Sequence, residues 1–299
     1  MKFNSFKELL AYCEKKGRSI GQAALDYELS QDDECTETEV LAKVQSLLDQ
    51  MEATIDSGLL SEEKSMSGLS GGFSKKVFLF KDAPNAFMSS LEHRMIAYAL
   101  ATLEENSRMR RIVACPTAGG SGSVPAVFIA LKHEKAKTPQ ALTDEALQHA
   151  LLGASMIGQI VSHKMYLSGA AAGCQAEIGV ACGMAAAGLV ELCGGSPKQA
   201  LDATALAFQN FIGLACDPVA GLVEVPCVNR NGISAVMASA AATMALSGMP
   251  SFLPLDDVVD AMASVGRMMS PKLKESAEGG LAKTKTAIAF TQGFLNRPE

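Results

Sequence analysis

Aromatic residues are scarce in this sequence: tryptophan is absent, and phenylalanine and tyrosine together make up 5% of the 299 residues. Strands favour aromatic and β-branched side chains. The apolar residues, 48% of the chain, are instead rich in alanine, leucine and methionine, which are strong helix formers. The composition therefore predicts an all-α, multi-helix compact domain with buried alanine- and glycine-rich helices.

The sequence also lacks any run of lysine and arginine interleaved with aromatic residues. Its 26 basic residues are outnumbered by 32 acidic ones, which gives a formal net charge of −6. Nucleic-acid binding depends on clustered positive charge that neutralises phosphates. We therefore expect no nucleic-acid partner.

The first residues, MKFNSFKELLAYCEKK, carry charges throughout and do not match a secretory signal. Residues 231–255 carry no charge and are long enough to span a bilayer. They are mostly small residues, however, rather than the large aliphatic ones that favour insertion. We predict a buried helix there, no membrane partner and a cytoplasmic location.

Capping signals mark the first helices. Ser5 with Glu8, and Thr36 with Glu39, match the capping box, and Gly58 is expected to end the second of these helices. Residues 1–60 are predicted to form an N-terminal helical region that packs on residues 61–299, so that the two make one continuous domain. A serine- and glycine-rich passage, SEEKSMSGLSGGFSKKV, is predicted to be a loop or linker.

Proline-containing signals predict later helices. Thr138 and Ser196, each followed by proline, are expected to cap helices, and the glycines at 194–195 are expected to stop the helix before Ser196. Residues 111–115, RIVAC, have the pattern of a short strand. The remaining elements are predicted to be helical.

Eight cysteines occur in the chain, at positions 13, 35, 115, 174, 182, 193, 216 and 227. In a reducing cytosol, cysteines are more often free thiols or metal ligands than members of disulfides. Residues 174–193 are predicted to form one alanine-rich helix, in which Cys182 lies about 12 Å along the axis from Cys174 and about 16 Å from Cys193. Such a helix gives at most one ligand to a shared metal centre.

The segment CDPVAGLVEVPC, residues 216–227, contains two prolines and a glycine and is predicted to be a loop. A loop can bring both of its thiols to one point, where a third thiolate from the helix would give three of the four ligands usual for an iron–sulfur cluster. Buried cysteine also serves as a small apolar residue. For Cys216 and Cys227 the spacing alone leaves both interpretations open. We favour the packing role for three others: Cys13, Cys182 and Cys193.

A glycine-rich segment, CPTAGGSGSVPAV, precedes a predicted helix. Backbone N–H groups at such a helix entry bind anions. A dinucleotide-binding fingerprint fits poorly, because the GxG is followed by SVP. A substrate carboxylate fits better, and a plain helix-entry turn is the alternative.

The chain resembles the alpha chain of iron–sulfur-dependent bacterial L-serine dehydratase in four segments: SGLSGGFSKKV, CPTAGGSGSVPAV, SGAAAGCQAEIGVACGMAAAGLVEL and CDPVAGLVEVPCVNRN. The resemblance implies a lyase that converts L-serine to pyruvate and ammonia, with residues 61–299 as its catalytic domain. It implies an oxygen-sensitive [4Fe–4S] cluster held by Cys174, Cys216 and Cys227, whose uncoordinated iron acts as a Lewis acid. It also implies a separate beta chain as partner.

The same resemblance points to residues that hold L-serine. The family's PTxGxxG loop corresponds here to Thr117, Gly119, Gly120, Ser121 and Gly122. Arg230 and Asn231 follow the last cysteine and are candidates to orient the substrate carboxylate, because arginine presents a planar fork of donors. A hydrogen bond from Arg230 to a backbone carbonyl is the alternative.

The catalytic base is left unassigned. His93, His163 and Lys164 are the visible candidates, but a lone histidine on a helix is more often structural or solvated. Two positions depart from the family pattern. Ala171 stands where an acidic residue is usual, and Cys115 stands where a small residue without a thiol is more common.

Three other functions compete with this hypothesis. A related [4Fe–4S] L-cysteine desulfidase would keep the cluster and change the substrate, and the departure at Ala171 makes it worth testing. A pyridoxal-phosphate dehydratase is less favoured, because no lysine stands in a recognisable Schiff-base setting. A noncatalytic helical binding or zinc-scaffold subunit would use the same thiols for structure.

Overall fold

The computed structural model describes residues 1–32 and 34–296, which form thirteen α-helices and no strand. The prediction of an all-α fold is confirmed. The helices are α1 (Phe6–Lys16), α2 (Ile20–Leu29), α3 (Glu37–Leu60), α4 (Phe73–Phe80), α5 (Ser90–Ser107), α6 (Ser123–Lys135), α7 (Asp144–Lys164), α8 (Gly169–Ala172), α9 (Val180–Leu192), α10 (Pro197–Gln209), α11 (Cys227–Leu246), α12 (Leu255–Met268) and α13 (Lys285–Leu295). Shorter turns are a π-helical turn at Gln175–Gly179 and 3₁₀ turns at Val219–Gly221, Pro271–Leu273 and Gly280–Lys283.

Helix α9 lies at the centre of the core, where it packs against α6, α7, α10 and α11. Its glycines allow this close packing. A Cβ at Gly183 would lie 2.2 Å from the Phe208 ring, and one at Gly188 would lie 2.1 Å from the Phe128 ring. Together with the π-helical turn, α9 is long and apolar enough to cross a membrane by length and composition, and 83% of this segment is buried inside the protein. Such burial is typical of the central helix of a globular core.

The first three helices pack on this core through contacts of α2 with α7 and of α3 with α5. Thr36 and Glu39 form the predicted capping box at the start of α3. Ser5 caps α1 as expected, but the Glu8 carboxylate accepts the N–H of Asn4 and not that of Ser5. The division at residue 60 stays a prediction, and residues 297–299 of the second predicted region lie outside the described part.

Two predicted helix boundaries are wrong. Helix α3 continues through Gly58, which packs so closely on α5 that a Cβ would lie 2.6 Å from the Ala101 carbonyl oxygen. Thr138 lies in a turn, and α7 begins later, where the Thr143 hydroxyl accepts the N–H of Ala146 at 3.1 Å. The hydroxyl that caps this helix therefore belongs to Thr143 and not, as predicted, to Thr138.

The strand predicted at residues 111–115 is also wrong, because this segment is irregular and pairs with no strand in the described chain. The uncharged segment 231–255 is not one helix: α11 ends at Leu246 and α12 begins at Leu255. Phe252, in the connection between them, is 96% exposed. The signals around Ser196 are confirmed: Pro197 opens α10, and Gly194 adopts a positive φ after the end of α9.

Candidate metal and substrate site

Cys174 stands at the start of the central helix, directly before the π-helical turn. Gly173 precedes it with φ 77°, a conformation that suits glycine and turns the chain between α8 and Cys174. The next residue, Gln175, is fully buried. Its amide donates to the Met262 carbonyl at 3.0 Å and accepts the Gly213 N–H at 3.0 Å. These bonds fix the helix start to α12 and to the segment that leads into Cys216.

The predicted loop is present over residues 216–226, and its last predicted residue, Cys227, begins α11. Hydrogen bonds hold the loop to the C-terminal segment 270–284. The Cys216 N–H donates to the Leu273 carbonyl at 2.8 Å, and the Glu275 N–H donates to the Cys216 carbonyl at 2.6 Å. The Asp217 carboxylate accepts the Leu281 N–H at 2.7 Å. Cys216 is therefore held by its backbone, which leaves its thiol to face the interior.

The thiols of Cys174 and Cys216 and the carboxylate of Glu177 form one group, whose ligand atoms all lie within 4.8 Å of one another. Cys227, the first residue of α11, lies close enough for the charges of Cys174 and Glu177 to affect its pKa. All three cysteines are buried, with at most 5% of each exposed. The structure thus brings together two of the cysteines that the sequence singled out, Cys174 and Cys216, and Cys227 is near enough to be affected by the charge of Cys174. Their role as cluster ligands stays a prediction.

The thiols differ in their tendency to ionise. The hydrogen bond with Cys216 lowers the pKa of the Cys174 thiol, and the positive charge of Arg230 acts in the same direction against the effect of burial. The same hydrogen bond, together with burial, raises the pKa of Cys216. Burial raises the pKa of Cys227 to about 12. Of these three thiols only Cys174 has a lowered pKa, and the thiolate is the form of cysteine that binds metals.

Arg230 lies beside this group on α11. Its guanidinium donates to the Ala215 carbonyl at 2.8 Å and to the Asp217 carboxylate at 3.1 Å. The backbone-carbonyl bond considered from the sequence is therefore present, in addition to the ion pair. Contact with the substrate stays a prediction for this residue.

The glycine-rich loop lies against Glu177. The Thr117 hydroxyl donates to the Glu177 carboxylate at 2.8 Å. A Cβ at Gly119 would lie 3.2 Å from the same carboxylate, and a Cβ at Gly120 would lie 2.8 Å from the Glu177 carbonyl oxygen. The Ser121 hydroxyl is turned to its own loop, where it donates to the Ala118 carbonyl at 2.8 Å. The loop predicted to hold substrate is therefore adjacent to the cysteines.

Asn231 joins this loop to α11 and is fully buried. Its amide NH₂ donates to the carbonyls of Gly119 at 2.7 Å and Cys227 at 2.9 Å, and its amide oxygen accepts the Gly122 N–H at 2.9 Å. In this arrangement Asn231 positions the loop relative to the last cysteine. Direct contact with a substrate carboxylate stays a prediction.

Sequence reasoning missed Glu177. It stands three residues after Cys174, a spacing that places two side chains on the same side of a helix. Burial raises the pKa of its carboxyl group, although the Thr117 hydrogen bond opposes the shift. The spacing from Cys174 was the signal in the sequence.

The five remaining thiols differ in burial, and Cys35 is partly buried. Cys13, Cys115 and Cys182 are buried, and Cys182 donates to the Ser234 carbonyl at 3.3 Å. Burial raises the pKa of Cys115 to about 12. The packing role predicted for Cys193 is wrong, because the residue follows the last turn of α9 and is exposed.

The candidate bases occupy other places. His93 is buried, with its Nδ1 3.0 Å from the carbonyl oxygen of Ser89, the N-cap residue of α5. His163 and Lys164, at the end of α7, line a surface cavity together with Ala171 and Arg267. Ala171 therefore borders that cavity from α8, and neither histidine belongs to the group formed by the two thiols and Glu177.

Sequence comparisons relate the chain to serine dehydratases. A family profile described as "Serine dehydratase alpha chain" matches residues 15–282. The chain is 40% identical over 284 residues to the probable L-serine dehydratase, alpha chain, of Bacillus subtilis (strain 168), a match that covers 95% of this chain and 92% of that protein. It is 35% identical over 294 residues to the L-serine dehydratase, alpha chain, of Peptoniphilus asaccharolyticus, with 98% of each chain covered.

A longer relative matches over the same region. L-serine dehydratase 1 of Escherichia coli (strain K12) is 36% identical over 286 residues, which cover 94% of this chain and 61% of that protein. The residues matched by the family profile include the glycine-rich loop and all three clustered cysteines. The chain belongs to the serine dehydratase alpha chain family, and with it to the lyases.

Proposed function

We propose that this chain is the alpha chain of an iron–sulfur-dependent L-serine dehydratase, which converts L-serine to pyruvate and ammonia. The observation that carries the proposal is the burial of Cys174 and Cys216 within one group of ligand atoms, beside Cys227 and against the glycine-rich loop. In a chain of this family, that arrangement supports a metal centre next to a place for an amino-acid carboxylate.

The residues present suit a [4Fe–4S] cluster. Such clusters are bound by cysteine thiolates, and the site offers three buried thiols. Because Gly169 has no side chain, it leaves room for the Cys216 thiol: a Cβ at this position would lie 2.6 Å from the Cys216 sulfur. The positive charge of Arg230 partly balances the negative charge of bound thiolates. Cys174, Cys216 and Cys227 would hold the cluster, which when bound supplies an iron without a cysteine ligand as a Lewis acid for the substrate.

The chain's own residues are proposed to bind and orient L-serine. The loop of residues 117–122 leads into α6, and the N-terminus of a helix favours a carboxylate. The Thr117 hydroxyl donates to Glu177, and Arg230 is close enough to Cys174 to lower the pKa of its thiol. We propose that the substrate lies between the loop and the cysteines. No residue is assigned as the base that takes the Cα proton.

The overall reaction needs no redox partner. Loss of the Cα proton and of hydroxide from L-serine gives aminoacrylate, which tautomerises to an imine and is hydrolysed to pyruvate and ammonia. Water is released in the first step and consumed in the last. Exclusion of bulk water by the buried thiol group would protect both the reacting substrate and the cluster.

A beta chain is the proposed partner. Two relatives carry the words "alpha chain" in their names, and the match to the Escherichia coli protein covers only 61% of its length. We propose, from the alpha-chain names of these relatives, that this chain works together with a separate beta chain. A cytoplasmic location, suited to free thiols, is part of the same proposal.

The proposal is tested by anaerobic reconstitution with iron and sulfide in the presence of the beta chain, followed by two assays. We expect pyruvate from L-serine to exceed sulfide from L-cysteine, and the Cys193→Ser variant to match the unmodified chain because that thiol is exposed. Dominant sulfide release would favour the desulfidase. A preparation with one tightly held zinc and no activity would favour the noncatalytic subunit, since thiolates and a carboxylate also suit zinc.

A further inference from the structure

The proposed reaction assigns no role to Glu177, although its carboxylate lies beside the thiols. One of its carboxylate oxygens, Oε2, lies 3.9 Å from the Cys216 sulfur. A carboxylate oxygen of Glu177 also lies within 4.8 Å of the Cys174 sulfur. Glu177 is thus the third member of the ligand group, beside two of the three cysteines proposed to hold the cluster.

Two glycines and one side-chain hydroxyl lie close to this carboxylate. A Cβ at Gly169 would lie 2.8 Å from Oε2, and a Cβ at Gly119 would lie 3.2 Å from Oε1. Two glycines therefore allow backbone to approach the carboxylate on both sides. The Thr117 hydroxyl donates to Oε1 at 2.8 Å, which leaves Oε2 as the oxygen next to the Cys216 thiol.

We propose that Glu177 is the ligand of the iron that no cysteine holds, and that substrate displaces it. The proposal rests on the proposed function, because it assumes a cluster at the three cysteines. The exchange replaces one iron–oxygen bond by another and changes no oxidation state. Carboxylate is a common protein ligand of iron, and a fourth thiolate at this position would bind more firmly and block the substrate.

Thr117 links this ligand to the substrate loop. Its hydroxyl is bonded to Glu177 in the present arrangement. A substrate bound at residues 117–122 would compete with the Glu177 carboxylate for the Thr117 hydroxyl and also for the iron. Binding of substrate to the loop would therefore favour dissociation of the Glu177 carboxylate from the iron.

The test compares the full chain with three variants, each reconstituted anaerobically with isotopically enriched iron and sulfide and studied without substrate by Mössbauer spectroscopy. Glu177→Cys should give four equivalent thiolate-bound irons, whereas the unmodified chain should show one distinct iron. Glu177→Ala should bind the probe imidazole at that iron roughly ten-fold more tightly or better, because its competitor is gone. Glu275→Gln is the matched control, since Glu275 is an exposed carboxylate near the same thiols. It should behave as the unmodified chain.

Two results would overturn the inference while leaving the proposed function intact: a distinct iron that persists in Glu177→Cys, or an imidazole affinity unchanged in Glu177→Ala. If the loss of this ligand lowers the iron content of Glu177→Ala, the spectrum of Glu177→Cys, which restores a ligand, decides. Absence of any cluster from the unmodified chain would instead refute the proposed function itself.

Discussion

The Glu224 carboxylate accepts a 2.6 Å hydrogen bond from the Ser65 hydroxyl, although 159 positions separate the two residues in the chain. Ser67 and Ser70 donate to the same carboxylate, and all four side chains are buried. The serine-rich loop after α3 is therefore tied to the loop that carries Cys216. This relationship explains why a polar, glycine-rich segment is held in one conformation beside the cysteines.

Replacement of Glu224 by glutamine should destabilise the protein. An amide has one accepting oxygen and an NH₂ group that cannot accept the serine hydroxyls, so the loss should be about 2 kcal/mol in the free energy of unfolding. Urea unfolding measures it. Glu62→Gln, at an exposed carboxylate paired with Lys75, is the control and should unfold at the original urea concentration. Equal midpoints for the Glu224 variant and the unmodified chain would contradict this account.

Replacement of Gly169 by alanine should displace the Cys216 thiol. The added Cβ would lie 2.6 Å from that sulfur and 2.8 Å from the Glu177 carboxylate, and overpacking of this kind costs about 1–3 kcal/mol. Iron content after reconstitution should fall with it. Gly293→Ala adds a methyl group where nothing lies within 4 Å, and should be neutral or stabilising by up to about 1 kcal/mol. Full iron content in Gly169→Ala would show that the cluster does not use this space.

Replacement of Asn231 by alanine should loosen the glycine-rich loop. The change leaves two buried carbonyls and one N–H without their partner, so we expect a loss of about 3 kcal/mol or more and a higher KM for L-serine. Asn210→Ala is a matched control, because Asn210 also donates to the carbonyl four residues earlier but is exposed. A KM change no larger than that of the control would argue against the positioning role.

The hydrogen bonds from two residues of α6 to Glu52 of α3 predict that the stability of the protein depends on pH. Burial acts to raise the pKa of Glu52, but hydrogen bonds from Lys132 and His133 outweigh it and hold the pKa below its ordinary value of 4.5. A depressed pKa in the folded state stabilises the protein above the ordinary pKa, and the contribution is lost as the pH falls through the folded-state value. The Tm difference between the unmodified chain and Glu52→Gln should therefore be largest above about pH 5 and shrink towards pH 3. A difference that stays constant over this range would contradict the prediction.

Local signals in the sequence predicted much of this fold. Alanine-rich composition indicated helices, and Ser196 and Thr36 marked helix starts because a capping bond needs only neighbouring residues. Thr138 and Gly58 misled, since a second threonine supplied the real cap and tertiary packing carried α3 past the glycine. A strand at 111–115 needed a partner strand, which the all-α architecture does not provide.

The site was predicted in part for the same reason. Loop chemistry indicated that Cys216 and Cys227 could approach each other, and helix geometry limited the central helix to one ligand. The hydrogen bonds to Glu224 from three serines, which lie 154 to 159 positions earlier in the chain, could not be predicted from spacing. Glu177 was predictable in principle, because it follows Cys174 by one helical turn.

The central claim is that Cys174, Cys216 and Cys227 hold an iron–sulfur cluster, and iron and acid-labile sulfide content measured under anaerobic conditions tests it most directly. The account predicts about four irons and four sulfides per chain, lost in Cys216→Ser and retained in Cys193→Ser, whose thiol is exposed. One tightly bound zinc without sulfide, or full iron and sulfide in Cys216→Ser, would contradict it.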